Sequence, residues 1–261
     1  MAILDPRQKA RRIVALFRNR EETPALPAEL YPADLDEAYR IRAEFVAIEE
    51  AEGRGPIAGY KIALTTTVMA RLMGVDEPCY GAIFASEVHH RKASLQASDY
   101  CRLGVETEIA FSLGADLPRG GDREEVAEAV ESAMAAIELI EDLRYDYDRV
   151  DAPALIAGNA WNAGVVLGEP VRSWRALDLA RVQGKLFING VEIGSGMGGD
   201  VLGHPLNALS WLASKLAEEG KPLKRGMVIS TGSIVAIRHL RPGDRVEVAV
   251  SGLGSAELTL G

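Results

Sequence analysis

Apolar residues recur at helical spacing in the first part of the chain. One face is formed by Ile13, Val14 and Phe17, which predicts a helix over Arg11–Arg18. A second helix is predicted over Asp34–Glu52, and its apolar face consists of Ala38, Ile41, Phe45 and Ile48. Gly53-Arg54-Gly55-Pro56 ends this helix, because glycine and proline both interrupt helical structure. We therefore expect residues 1–56 to form a small helical N-terminal part.

From residue 57 the pattern changes to short apolar segments bounded by glycine, proline or aspartate. They predict a β-rich body over 57–261 with strands at Ala58–Leu64, Val105–Leu113, Ile137–Leu143, Ala163–Leu167, Lys185–Ile193, Val228–Gly232 and Asp244–Val250. Asn189-Gly190 is a strong two-residue hairpin signal. Helices are predicted at Asp122–Ala136 and Pro205–Glu219. Since strands and helices do not alternate regularly, an α+β fold is favoured over a doubly wound parallel sheet.

Composition limits the classes of partner. The chain has 261 residues, and its 29 basic and 38 acidic side chains give a net charge of −9. This acidic balance argues against nucleic acid or an anionic membrane as the main partner. Two cysteines do not make a disulfide framework, so a reduced, cytoplasmic compartment is expected. The longest uncharged stretch, Ala152–Gly168, is too short to span a bilayer.

The strand at Val105–Leu113 carries two acidic side chains two positions apart. Because strand side chains alternate, Glu106 and Glu108 share a face, with Cα atoms about 6.5–7 Å apart. On a solvated face they would be an ordinary amphipathic edge. In a cleft, two like charges need a counter-charge, and carboxylate oxygens favour Mg²⁺, Mn²⁺ or Ca²⁺.

Two more charged residues lie inside apolar segments. Glu138, expected near the end of a helix, is either the partner of an arginine such as Arg144 or a third carboxylate of the same cation site. Lys61 is either an ion-paired or snorkelling lysine or a group that anchors a substrate carboxylate or transfers protons. Gly59, two residues earlier, permits a close backbone approach. His204, before Pro205, either begins a helix or contacts a substrate.

Several motifs together resemble one family. They are Gly59-Tyr60-Lys61-Ile62, Gly74-Val75-Asp76-Glu77-Pro78, Val105-Glu106-Thr107-Glu108-Ile109-Ala110-Phe111, Ala136-Ile137-Glu138-Leu139-Ile140, Val201-Leu202-Gly203-His204-Pro205-Leu206-Asn207, Trp211-Leu212-Ala213 and the run from Gly220 to Gly232. In order and spacing these segments resemble the hydratase/decarboxylase family. This group comprises 2-hydroxypenta-2,4-dienoate (2-keto-4-pentenoate) hydratases and 4-oxalocrotonate decarboxylases, and it is related to fumarylacetoacetate hydrolases.

The resemblance implies a fumarylacetoacetase C-terminal-like mixed β fold and a homo-oligomeric lyase of aromatic catabolism. It implies Mg²⁺ or Mn²⁺ held by Glu106, Glu108 and Glu138, and an active-site lysine at Lys61. It further implies a small keto or dienoic acid substrate, with contacts expected at Leu64, Asn159, Trp161 and His204. The expected activity is hydration of 2-hydroxy-2,4-dienoate or 2-keto-enoate acids.

This sequence departs from the family pattern at three positions. Cys79 follows Asp76-Glu77-Pro78 where the family usually has an aspartate proposed for proton transfer, so Cys79 is the expected acid–base group here. Gly158-Asn159-Ala160-Trp161 stands where the family has Asp-Asn-Ala-Ser. Decarboxylation, keto–enol tautomerisation and a non-catalytic partner subunit that keeps the fold therefore remain alternatives to hydration.

Overall fold

The computed structural model describes residues 4–261. Its strands are β1 Ile57–Ala63, β2 Cys79–Phe84, β3 Val88–His90, β4 Lys92–Leu95, β5 Leu103–Leu113, β6 Val130–Glu141, β7 Asn162–Leu167, β8 Gln183–Ile188, β9 Val191–Met197, β10 Val228–His239, β11 Arg245–Val250 and β12 Gly254–Leu260. A seven-stranded sheet has the order β2-β1-β10-β5-β6-β7-β3, and a five-stranded sheet has the order β4-β12-β11-β8-β9.

The two sheets pack against each other through their central strands. In the larger sheet, β1 runs parallel to β10, while β5 is antiparallel to both β10 and β6. β6 contacts β11 and β12 of the smaller sheet, and the main hydrophobic core contains side chains of both sheets. The mixed β fold predicted from the sequence is confirmed.

The helices lie around the sheets. They are α1 Pro6–Asn19, α2 Leu35–Glu49, α3 Thr67–Leu72, α4 Arg123–Glu128, α5 Ala152–Ala157 and α6 Pro205–Glu218, and a π-helical turn covers Glu50–Arg54. A second core joins α1, α2 and α5 to Leu64 and Trp161. Within residues 4–261, none of the helices has both the length and the apolar composition needed to cross a membrane.

Several local predictions are confirmed. Asp34 caps α2 by accepting a hydrogen bond from the backbone N–H of Glu37, and the predicted apolar face of this helix is buried. The Asn189-Gly190 hairpin joins β8 to β9, and both turn residues have positive φ, 52° and 79°, as a type I′ turn requires. The division of the chain at residue 57 stays a prediction.

The helix predicted over Asp122–Ala136 is wrong in its second half. The helix ends at Glu128, and Val130 begins a strand that continues to Glu141. The alanine-rich segment favours a helix locally, but it lies between β5 and β7, where nearly all of its side chains are buried. Burial on both faces of a sheet outweighs the high helix propensity of alanine.

Candidate active site

The three glutamates predicted as metal ligands converge. Glu106 and Glu138 are direct cross-strand partners on β5 and β6, and Glu108 follows Glu106 on the same face. One carboxylate oxygen from each lies within 4.8 Å of the others. Glu138 is thus in the middle of a strand rather than at a helix end. Its partner is not Arg144, which pairs with Glu22.

Lys61 is the nearest counter-charge. Its Nζ lies 2.6 Å from Glu138 Oε1, and both side chains are almost fully buried. β10 and β5 lie between the strands that carry this pair, so the contact reaches across two strands of the sheet. The expected close approach at Gly59 is confirmed, because a Cβ there would lie only 1.9 Å from the carbonyl oxygen of Val228 on β10.

A break in the register of β10 shapes the site. The pairing of β10 with β5 shifts between Ser230 and Ser233. In this segment the Ser230 hydroxyl and the Gly232 N–H donate to Glu108 Oε2, at 2.5 and 3.0 Å. Gly232 has a φ of +119°, and a Cβ there would lie 2.4 Å from Thr65 Oγ1. Glycine therefore lets the backbone of β10 reach Glu108.

Burial and mutual repulsion determine the protonation of these groups. Burial, followed by the charge of Glu138, raises the pKa of Glu106 to about 8 and that of Glu108 well above its usual range. Burial alone would lower the pKa of Lys61, but the charges of Glu138 and Glu106 outweigh it and raise that pKa. Lys61 therefore carries a proton at neutral pH.

The donor set fits a hard divalent cation. Three carboxylates are gathered around one point, and the buried Glu108 Oε1 has no hydrogen-bond partner among the described residues. Buried carboxylates are costly unless they are paired or bound to a metal. All-oxygen ligands select Mg²⁺ or Mn²⁺ rather than zinc.

A cavity of about 150 Å³ opens beside this cluster. Its polar wall includes Lys61, Glu106 and Ser233, and most of the remaining wall is apolar. The other lining residues are Ile62, Ala63, Leu64, Thr65, Thr66, Met69, Met73, Ile140, Tyr147, Leu155, Ala160, Trp161 and Ile237.

Two of the predicted substrate contacts lie in this wall. Leu64 has a φ of 60°, and Trp161 belongs to a run of three residues, Asn159 to Trp161, whose φ values are 50–55°. Non-glycine residues in this left-handed region are uncommon and cluster at functional sites. The Trp161 ring stacks on Tyr145, with ring centres 4.6 Å apart.

Other predicted residues lie outside the lining of this cavity. Cys79 is buried next to it, where burial raises the pKa of the thiol to about 12, so the thiol stays neutral. The amide of Asn159 is engaged with the backbone N–H and C=O of Ala82 on β2, at 2.8 and 2.9 Å. His204 caps α6, where its Nδ1 accepts from the N–H of Leu206. Direct roles for these three residues stay predictions.

Sequence reasoning missed a polar group that adjoins Trp161 in this wall. Tyr147 lines the cavity, and its hydroxyl donates to Asp142 Oδ2 at 2.9 Å. Arg102 and His239 bind the same oxygen, at 2.6 and 2.8 Å. Burial alone would raise the pKa of Asp142, but the hydrogen bonds from His239, Tyr147 and Arg102 lower it. No local signal marks this group, whereas the polar run Ser230–Ser233 inside an apolar strand could have been noticed.

Comparison with known proteins identifies the family. Residues 77–260 match the fumarylacetoacetate (FAA) hydrolase C-terminal family. The chain is 34% identical to a 2-keto-4-pentenoate hydratase of Paraburkholderia xenovorans, over 85% of this chain and 82% of that protein. It is 32% identical to a 2-oxo-hept-4-ene-1,7-dioate hydratase of Escherichia coli, over 94% of each.

A solved structure is also similar over nearly the whole chain. It is a 4-oxalocrotonate decarboxylase from Pseudomonas putida G7, complexed with magnesium and adipate, with a TM-score of 0.90 and 27% identity. The alignment covers 98% of this chain and 97% of that one. This protein therefore belongs to the fumarylacetoacetate hydrolase family, in the hydratase/decarboxylase group that its sequence motifs resemble.

Proposed function

We propose that this protein is a metal-dependent hydratase of small 2-hydroxy-2,4-dienoate or 2-keto-enoate acids. The observation that carries the proposal is the convergence of Glu106, Glu108, Glu138 and Lys61 beside a small, mostly apolar cavity, whose wall includes Lys61 and Glu106. Such a cavity suits a short acid whose polar end meets the charged groups. The named hydratases among the relatives support the same reaction class.

The three glutamates would hold Mg²⁺ or Mn²⁺, and the bound ion supplies Lewis-acid polarisation of a carboxylate and an adjacent oxygen. Lys61 lines the cavity with a protonated ammonium beside Glu138. It can therefore bind the substrate carboxylate or act as an acid–base group toward the reacting part of the substrate. The apolar wall excludes bulk water, which strengthens both interactions.

Decarboxylation or tautomerisation is the second candidate. The observation that favours it is the position of Cys79, which is neutral and lies outside the cavity wall where an acid–base group for water would be needed. The similar 4-oxalocrotonate decarboxylase structure is consistent with this alternative.

The assembly and location of the protein belong to the proposal as well. A homo-oligomer is supported by large apolar side chains left exposed on α3 and β9, namely Val68, Leu72 and Val191. A cytoplasmic location rests on the sequence argument alone.

The proposal is tested by incubating the purified protein and Mg²⁺ with 2-hydroxypenta-2,4-dienoate and following the loss of diene absorbance. We expect turnover that EDTA abolishes. Glu108→Gln should lower kcat/KM by at least about 100-fold, since it removes a charged ligand and weakens metal binding. Glu247→Gln, at an exposed position of the smaller sheet, should leave turnover unchanged.

The same reactions should be assayed for carbon dioxide release with 4-oxalocrotonate and for ketonisation without water addition. Either activity in the absence of hydration would favour the second candidate. No turnover across a panel of dienoates, with metal binding verified by calorimetry, would overturn the hydratase proposal.

A further inference from the structure

Apart from its charged and hydroxyl groups, the cavity has the properties of a pocket for an apolar group. Its wall includes Met69, Met73, Ile140, Leu155 and Ile237. Among the described residues in the lining, Lys61 is the one cation, and it is already paired with Glu138. A second charge on a substrate would therefore lose its water without gaining a partner.

Trp161 forms a rigid part of this apolar wall. Its ring is stacked on Tyr145 and meets Tyr147 edge-on, with ring centres 6.1 Å apart. Only 5% of Trp161 is exposed, and its backbone lies in the left-handed run described above. A side chain fixed by stacking, burial and backbone conformation cannot move aside easily for a longer ligand.

Gly158 makes room for this arrangement. A Cβ at Gly158 would lie 3.1 Å from the ring of Phe17 on α1 and 3.2 Å from the ring of Trp161. The two departures from the family motif, glycine at 158 and tryptophan at 161, are therefore physically coupled. The glycine lets the large ring pack between the N-terminal helices and the cavity.

The wall around Tyr147 also disfavours a distal carboxylate. The nearby groups that could pair with a carboxylate, Arg102 and His239, both bind the buried Asp142, which also accepts from Tyr147. An incoming carboxylate would meet the negative charge of Asp142 behind Tyr147, while the groups that could neutralise it are occupied.

Resting on the proposed function, we propose that the site selects acids with a short, uncharged, apolar tail, and that Trp161 sets the length of that tail. The carboxylate end binds at Lys61 and the glutamates, and the tail extends along the apolar wall toward Trp161. Acids that carry a second carboxylate are rejected.

Binding of unreactive saturated 2-oxo acids tests this inference without requiring turnover. Isothermal titration calorimetry at fixed Mg²⁺ would compare pyruvate, 2-oxobutanoate, 2-oxopentanoate and 2-oxohexanoate. Each added methylene should tighten binding about fourfold while apolar space remains. The first methylene that meets Trp161 should reverse this trend. 2-Oxoadipate, with the same six carbons as 2-oxohexanoate, should bind at least about tenfold more weakly than that acid.

Variants of Trp161 test whether this side chain sets the longest tail that the cavity accepts. Trp161→Ala should move the reversal to a longer acid and improve binding of the first rejected acid by about tenfold or more. Trp161→Phe keeps a ring over Tyr145 and should give a smaller shift in the same direction, so the test survives if the alanine variant does not fold. Trp211→Phe, a tryptophan outside the cavity lining, should leave the whole series unchanged.

The outcomes separate the two proposals. If pyruvate does not bind in the presence of Mg²⁺, the proposed function is wrong, and the proposed selection of short uncharged tails is overturned with it. If pyruvate binds but 2-oxoadipate matches 2-oxohexanoate, or the length limit is the same in both Trp161 variants, only the tail inference is overturned.

Discussion

At the scale of single residues, the site depends on one buried ion pair. Lys61 and Glu138 are 3% and 2% exposed at their side chains, so neither charge is solvated by bulk water. Taking two ions out of water is expensive, and the pair persists because each partner neutralises the other. Glu138 also faces Glu106 and Glu108, so the positive charge of Lys61 offsets the repulsion among three carboxylates.

Replacing Lys61 should therefore destabilise the metal-free protein. We expect Lys61→Met to lower the free energy of unfolding by about 3 kcal/mol, because Glu138 is left buried without a counter-charge. Added Mg²⁺ should restore part of the loss by neutralising the same carboxylates. Chemical denaturation with EDTA and with Mg²⁺ measures both effects.

Lys215→Met is the matched control, because the pair that Lys215 forms with Glu77 is more exposed, at 26% and 49%. Its loss should cost about 0–1 kcal/mol and should not respond to metal. Equal losses in the two variants would contradict a special role for the buried pair.

At the scale of elements, the turn between α5 and β7 holds one cavity wall against β2. Asn159 connects the turn to β2, because its side-chain amide forms hydrogen bonds with both the backbone N–H and the C=O of Ala82. β2 itself had no counterpart in the sequence predictions, because all of Cys79–Phe84 is buried and no alternation of polar and apolar residues marks it. Together with β3, β4 and β12, it was recognised only in the folded chain.

Asn159→Ala should loosen this wall. Two buried backbone groups lose their partners, and alanine is less tolerant of the left-handed conformation, so the free energy of unfolding should fall by about 2–4 kcal/mol. Thermal unfolding of the variant measures this loss. Asn207→Ala, which removes one half-buried hydrogen bond to Leu202, should cost about 1 kcal/mol. If Asn159→Ala lowers the free energy of unfolding no more than Asn207→Ala does, Asn159 does not hold this wall against β2.

At the scale of the whole molecule, stability should depend on pH through the metal site. The ordinary pKa of a glutamate is 4.5, whereas the pKa of Glu106 in the metal-free fold is about 8 and that of Glu108 is also raised. Between these pH values the folded protein keeps protons that the unfolded chain loses. The contribution of these carboxyls is therefore fully present below about pH 4.5 and is lost as pH rises toward 8.

We thus expect the Tm in EDTA to fall as the pH is raised from 5 to 8. Mg²⁺ competes with the bound protons, so its stabilising effect should increase over the same range. Scanning calorimetry with and without Mg²⁺ measures both trends. The double variant Glu106→Gln with Glu108→Gln should lose most of the slope. A metal-free Tm that rises with pH through this window would contradict the argument.

Local patterns in the sequence were sufficient for much of the fold and for the candidate ligands. Alternation in β5 placed Glu106 and Glu108 on one face, helical spacing identified α1 and α2, and the turn residues identified the β8–β9 hairpin. These features depend on neighbours in the chain, where backbone geometry alone relates one side chain to the next. Glu138 and Lys61 stood out as charged residues inside apolar segments, and the family motifs gave them their expected roles.

Only the tertiary structure decided how distant segments meet. The strand character of Val130–Glu141 comes from burial between β5 and β7, and the contact of Lys61 with Glu138 comes from a strand order that puts β10 and β5 between their strands. The aromatic wall at Trp161 likewise needs Phe17, Tyr145 and Tyr147 from separate parts of the chain. Burial and long-range charge interactions are properties of the packed molecule, and they determined the shape of the cavity beside the glutamates.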